Sequence, residues 1–121
     1  MKRILIVEND KSARLHLVNT FEQSCFEIEI VQNVETARES LSREHPISLC
    51  ILPALMVGGT VGDVFSGLPQ SVLSQTIFAV MSAFPSLAKA QLELEFVKVH
   101  WLHRPLQDDE LAKMLKLISE A

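Results

Sequence analysis

Five short apolar runs, each followed by a stretch of helical spacing or a turn-rich segment, limit what this chain can fold into more than any other feature. Ile4 to Val7, Leu49 to Leu52 and Ile77 to Met81 are continuous, which suits strands covered on both faces. Phe26, Ile28 and Ile30 alternate with Glu27 and Glu29, the period-two pattern of a strand with one face more exposed. Val97 to Leu102 completes the set. Helical patterns lie between and after the runs. Asp10 is placed to cap a helix that carries Ala13, Leu17, Val18 and Phe21 on one face. A second helix is expected from about Val34 to Arg43, ending before Pro46. Ser86 caps a helix through Leu94, and Asp108 to Ser119 sets Leu111, Met114, Leu115 and Ile118 on one side. The segment from Val57 to Gly67 holds all four glycines, Gly58, Gly59, Gly62 and Gly67, with Pro69 beyond. Any helix there is short or broken, and the segment reads as a mobile loop. Strands that alternate with helices return parallel to one another with helices on both faces. The expected fold is therefore α/β: a (βα)5, doubly wound, five-stranded parallel sheet of flavodoxin-like type.

Bulk properties narrow the function. With 121 residues, 48% of them hydrophobic, the chain is the size of one domain, 1–121, and can bury a core. A net charge of −4 argues against direct nucleic-acid contact and against an anionic membrane surface. Met1-Lys2-Arg3 leads into only four apolar residues before Glu8, too few for a secretory signal, and no run is long enough to span a bilayer. A cytoplasmic protein is expected. Cys25 and Cys50 have no zinc or redox spacing, and His16, His45, His100 and His103 are scattered. His100 and His103 are expected to face different ways. The glycines match neither a dinucleotide fingerprint nor a phosphate loop. No catalytic residue and no metal-ligand set emerges, so the chain is not expected to be an enzyme.

In open parallel sheets the working crevice lies beyond the carboxyl ends of the strands. Those ends carry Glu8-Asn9-Asp10, Pro53, Ser82-Ala83 and Arg104-Pro105. With their strands, these segments resemble the receiver domains of bacterial two-component response regulators, the CheY-like superfamily, over essentially the whole chain. Ile4 to Asp10 is similar to the family's opening strand and acidic pair. Leu49 to Pro53 looks like the strand that delivers the phosphoacceptor aspartate. Ser82-Ala83-Phe84 resembles the Thr/Ser-Ala segment, and Trp101 to Pro105 the aromatic-Leu-x-Lys-Pro segment. The order and spacing of these segments also fit.

The departures from the family all fall in one pocket. Receiver chemistry needs a carboxylate that takes a phosphoryl group and ligates Mg²⁺. Pro53 has neither capacity. Asn9 offers a neutral amide where the family places an acid, so Mg²⁺ binding is expected to be weak or absent and no cofactor is expected. Arg104 replaces a lysine. It is expected to fill the vacated pocket by pairing with Glu8; the alternatives are a solvent-facing guanidinium or a bound anion. Ser82 and Trp101 stand where the resemblance puts the switch pair. Without a phosphoryl group nothing drives that switch, which leaves Trp101 as either a packing residue or a partner anchor. Asp10 reads first as a helix cap.

The resulting expectation is an atypical receiver, or pseudo-receiver, whose degenerate phosphorylation pocket comprises Glu8, Asn9, Asp10, Pro53, Ser82 and Arg104. It would act in signal transduction as a phosphorylation-independent interaction or dimerisation module. Its partner would be a signalling protein, a histidine kinase or an output domain. By resemblance, the contact surface would be about 86–121, which also admits a homodimer. Two alternatives stand beside it: phosphorylation of a non-standard acid, Asp10 or Asp63, and a small-ligand domain of flavodoxin-like topology.

Overall fold

Ile4, Leu5, Ile6 and Val7 are all fully buried, and their side chains alternate between two apolar layers. That requires a strand in the middle of a sheet. The computed structural model describes residues 2–22, 26–43, 46–83, 99–103 and 107–120. In chain order the elements are β1 (Arg3–Val7), α1 (Lys11–Glu22), β2 (Glu27–Val31), α2 (Val34–Leu41), β3 (Leu49–Pro53), β4 (Leu55–Met56) and β5 (Gly59–Thr60). They continue with α3 (Val61–Ser66), α4 (Gln70–Gln75), β6 (Ile77–Ser82), β7 (Val99–His103) and α5 (Asp108–Glu120).

The main sheet has five strands in the order β2-β1-β3-β6-β7, all parallel. On one face Leu5, Val7, Cys50, Leu52, Phe78 and Val80 pack against Val34, Ala37, Leu41, Val61, Val64, Phe65 and Leu73 of α2, α3 and α4. The rings of Phe65 and Phe78 meet edge to face with centroids 4.7 Å apart. On the other face Ile4, Ile6, Leu49, Ile51, Ala79, Met81 and Leu102 meet Leu17 and Phe21 of α1 and Leu111, Met114 and Ile118 of α5. The doubly wound α/β fold read from the sequence is the fold observed. Among the described residues no helix is long and apolar enough to cross a membrane.

Several local expectations change. The glycine segment is not an irregular loop. It opens with a β4–β5 hairpin in which Leu55 pairs with Thr60 and Met56 with Gly59. Gly58 and Gly59 take φ of +94° and +149° there, a region open to glycine and strained for other residues. Thr60 and Asp63 then form a reciprocal capping box that starts α3. The third crossover thus carries two short helices. On the edge strand β2, Ile30 is exposed while Glu29 is half-buried, the reverse of the simple alternation. Arg3, Ser40 and Arg43 bind that carboxylate and make its burial tolerable. α2 begins after Asn33, whose side chain accepts the Thr36 N–H at 2.9 Å, and stops at Leu41, short of Arg43. The expected helix from Ser86 to Leu94 lies outside the described residues, as do Val97, Cys25 and His45.

Candidate functional site

The chain leaves β1 for β2 on one side, then crosses back to β3 on the other. That reversal opens a crevice beyond the carboxyl ends of β1 and β3, where a doubly wound sheet binds its ligands. Glu8 follows β1 and Pro53 ends β3, so both border it. The crevice is an open cleft of about 630 Å³ lined by Val7, Glu8, Asn9, Asp10, Gln32, Pro53, Leu55, Met56 and Val57.

Glu8 is only 2% exposed. Its Oε1 accepts the backbone N–H groups of Asn9 and Asp10, both at 3.1 Å, so the carboxylate turns back on its own loop. Its backbone N–H donates to the Val31 carbonyl at 3.1 Å, which fixes the loop to the end of β2. Asp10 is exposed, and its Oδ2 accepts the Ala13 N–H at 2.9 Å. The Asp10 carbonyl accepts the Arg14 N–H at 3.0 Å, the first hydrogen bond of α1. Asn9 stands exposed between them.

Pro53 is buried and aligned with Met81 of β6. A proline inside a sheet must sit where no donor is needed. The next N–H, from Ala54, donates to the Met81 carbonyl at 3.0 Å. Backbone donors alternate sides along a strand, so the N–H that Pro53 lacks would have pointed toward β1. Pairing between β1 and β3 has by then stopped at Ile6–Ile51.

A small divalent cation takes near-octahedral oxygen ligands with carboxylate charge. Pro53 offers no side-chain oxygen and Asn9 only a neutral one. Glu8 Oε1 and Asp10 Oδ2 each accept backbone N–H groups. Among the described residues no three His, Cys, Asp or Glu side chains are grouped to hold a metal.

Ser82 ends β6, half-buried, in register with His103, and does not line the cleft. Trp101 pairs with Val80 and packs, half-buried, against the α2–α4 core. Arg104 and Pro105 lie outside the described residues, so the expected pairing of Arg104 with Glu8 does too. Asp63, the other candidate acid, binds the Thr60 N–H at 2.8 Å in its capping box. Burial pushes the Cys50 thiol far above its ordinary range, the state of an inert core cysteine. His100 faces α5, where burial and then the charge of Lys113 lower its pKa. His103 also meets α5, its Nδ1 lying 3.4 Å from Glu110.

Sequence reasoning missed the contribution of Gln32 and of the hairpin residues Leu55, Met56 and Val57 to the cleft. A partial signal was present: the Gly58-Gly59 pair directly after the short apolar stretch Ala54 to Val57 is a turn pattern.

No protein-family model matches this chain, and no curated protein matches it. Solved structures do. A sensor protein from a Polaromonas species superposes with a TM-score of 0.81 at 19% identity, covering 98% of this chain and 97% of that one. The signal receiver domain of an HD domain-containing protein from Pseudomonas fluorescens gives 0.76 at 19% identity, covering 98% and 94%. The signal receiver domain of a signal transduction histidine kinase from Syntrophus aciditrophicus gives 0.74 at 24% identity, covering 98% and 89%. The chain has the receiver fold. Of the six residues read from the sequence as a pocket, Glu8, Asn9, Asp10 and Pro53 line the crevice, and Pro53 stands at the end of the central strand β3.

Proposed function

We propose that residues 1–121 act as one receiver-like signalling domain that works by binding a protein partner, independently of aspartyl phosphorylation. The observation that carries this reading is Pro53 itself, buried at the carboxyl end of β3 beside Glu8, Asn9 and Asp10. A phosphoryl acceptor must present a nucleophilic oxygen at that point, and proline has none. Support comes from the neighbours, which leave Mg²⁺ a poor donor set and so remove the charge stabilisation that phosphoryl transfer depends on. The roles of Asp10 and Asp63 as helix caps weigh against either one as a substitute acceptor. The domain is proposed to be a non-enzymatic regulator, and its partner a histidine kinase, another signalling protein or an output domain.

Incubation of the protein with acetyl phosphate and Mg²⁺, followed by intact-mass spectrometry beside an ordinary receiver domain, tests the reading. The expected result is no phosphoryl adduct on this chain while the control is labelled. Stoichiometric labelling, mapped to any aspartate, would overturn it.

A further inference from the structure

The β4–β5 hairpin holds a fixed backbone and yet shows apolar side chains to water. Its backbone is tied down by three hydrogen bonds at 3.0 Å, from Ala54 to Met81, from Val61 to Ala54 and from Val34 to Val57. Val57 also bridges Asn33 in parallel fashion. Gly59 cannot be replaced without collision, because a Cβ there would meet the Asp63 carboxylate. On this frame Leu55 is 76% exposed and Val57 is 53% exposed. Single exposed apolar residues are ordinary on protein surfaces. Here two lie on one rigid hairpin and, with Pro53 and Met56, border the crevice at the strand ends. A backbone fixed before contact loses little freedom on binding, which favours a pre-formed docking ridge.

Charge identifies the occupant. Val57 lines both the crevice and a second open cleft of about 830 Å³ beside α2, so the hairpin stands as a ridge between the two. The exposed charged residues described in these clefts are Asp10 on one side and Glu35, Arg38 and Glu39 on the other, while Glu8 is buried. Arg38, the one basic residue among them, lies against Gly67, where a Cβ would strike its guanidinium. An apolar ridge between mainly acidic flanks fits a segment that carries apolar side chains bordered by lysine or arginine. A second copy of this chain is a poor occupant. A two-fold contact through the ridge would bring Asp10, Glu35 and Glu39 against the same acids in a chain of net charge −4.

We infer that the β4–β5 hairpin, through Leu55 and Val57, docks a basic amphipathic segment of a partner protein. This rests on the proposed partner-binding reading and names the partner's chemistry. The probe is a synthetic amphipathic leucine–lysine peptide, titrated into the full chain and followed by fluorescence anisotropy. Saturable binding is expected, weakened about tenfold by Leu55→Ser and also by Val57→Ser, and weakened by added salt. Both side chains are already largely in water, so circular dichroism should show an intact fold in each variant. A leucine–glutamate peptide of the same pattern should not bind. Absence of leucine–lysine binding, equal binding of the acidic peptide, or binding indifferent to both substitutions would overturn the inference. The titration contains no phosphodonor and the phosphodonor assay no peptide, so failure of this docking site and failure of the phosphorylation-independent reading are separate results.

Discussion

The backbone N–H of Ala13 donates to Oδ2 of Asp10 at 2.9 Å, which makes this acid the N-terminal cap of α1. The first turn of that helix carries no acid of its own, so Asp10 is the negative charge nearest that end of α1 in sequence after Glu8 turns onto its loop. Asp10→Ala should therefore cost about 1 kcal/mol of stability. Asp10→Asn should cost much less, because an asparagine oxygen accepts the same hydrogen bond. Urea unfolding of the two variants checks this. An equal loss in both would mean that the charge of Asp10, and not its capping bond, is what matters.

Restoring oxygen ligands to the crevice should restore a metal response. Pro53→Asp places a carboxylate at a buried strand end, at a cost of about 1–3 kcal/mol without a compensating partner. Adding Asn9→Asp crowds a further negative charge into the same cleft. The double variant should melt below the parent in the presence of chelator and recover as Mg²⁺ is added, because a ligand bound only by the folded state stabilises it. The parent should show no such rise. Thermal melts with and without Mg²⁺ decide the matter, and an equal rise in the parent would place the metal on other groups.

What the sequence made legible was set by how strongly each element depends on its own residues. Ile4 to Val7 and Leu49 to Leu52 are short, β-branched or apolar runs that suit strands buried on both faces, and the fold follows once such runs alternate with helices. The position of Pro53 was legible for the same reason, since the run it ends has one direction and one length. The hairpin was harder to read, because glycines at 58 and 59 signal freedom in a sequence and a fixed turn in a fold. What fixes them is tertiary: the Val34 N–H bound to the Val57 carbonyl, across a gap in sequence that no local pattern spans. Glu29 shows the same limit. Its charge predicts exposure, and only the assembled sheet reveals the groups that hold it half-buried.

Those groups make Glu29 a junction between β1, β2 and α2. Its carboxylate accepts from Arg3 Nη2 at 3.0 Å, Arg43 Nη1 at 3.2 Å and Ser40 Oγ at 2.6 Å, with the Arg3 side chain 17% exposed. Hydrogen bonds to a charged group in partial burial exceed those of open ion pairs. Glu29→Ala should lower stability by about 1–3 kcal/mol. Arg43→Ala, at the more exposed partner, should change it by no more than about 0.5 kcal/mol. Chemical denaturation of both single variants gives the comparison, and similar losses would show that the junction does not depend on burial.

His100 provides the pH dependence. Its ring is half-buried on β7; burial first, and then the nearby Lys113, hold its pKa below the ordinary value of 6.5. The folded protein therefore binds this proton less readily than the unfolded chain does. By linkage, the histidine's contribution is complete above the unfolded value near 6.5 and is lost as pH falls through the folded value. Between about pH 7.5 and about pH 5 the parent should lose stability from this source, and His100→Gln should show a shallower decline. Lys113→Gln should lessen the slope only in part, since burial is the larger cause. Urea midpoints across that range measure the slopes, with the ring titration followed by NMR. Identical slopes in the parent and His100→Gln would mean that His100 titrates alike in the folded and unfolded chains.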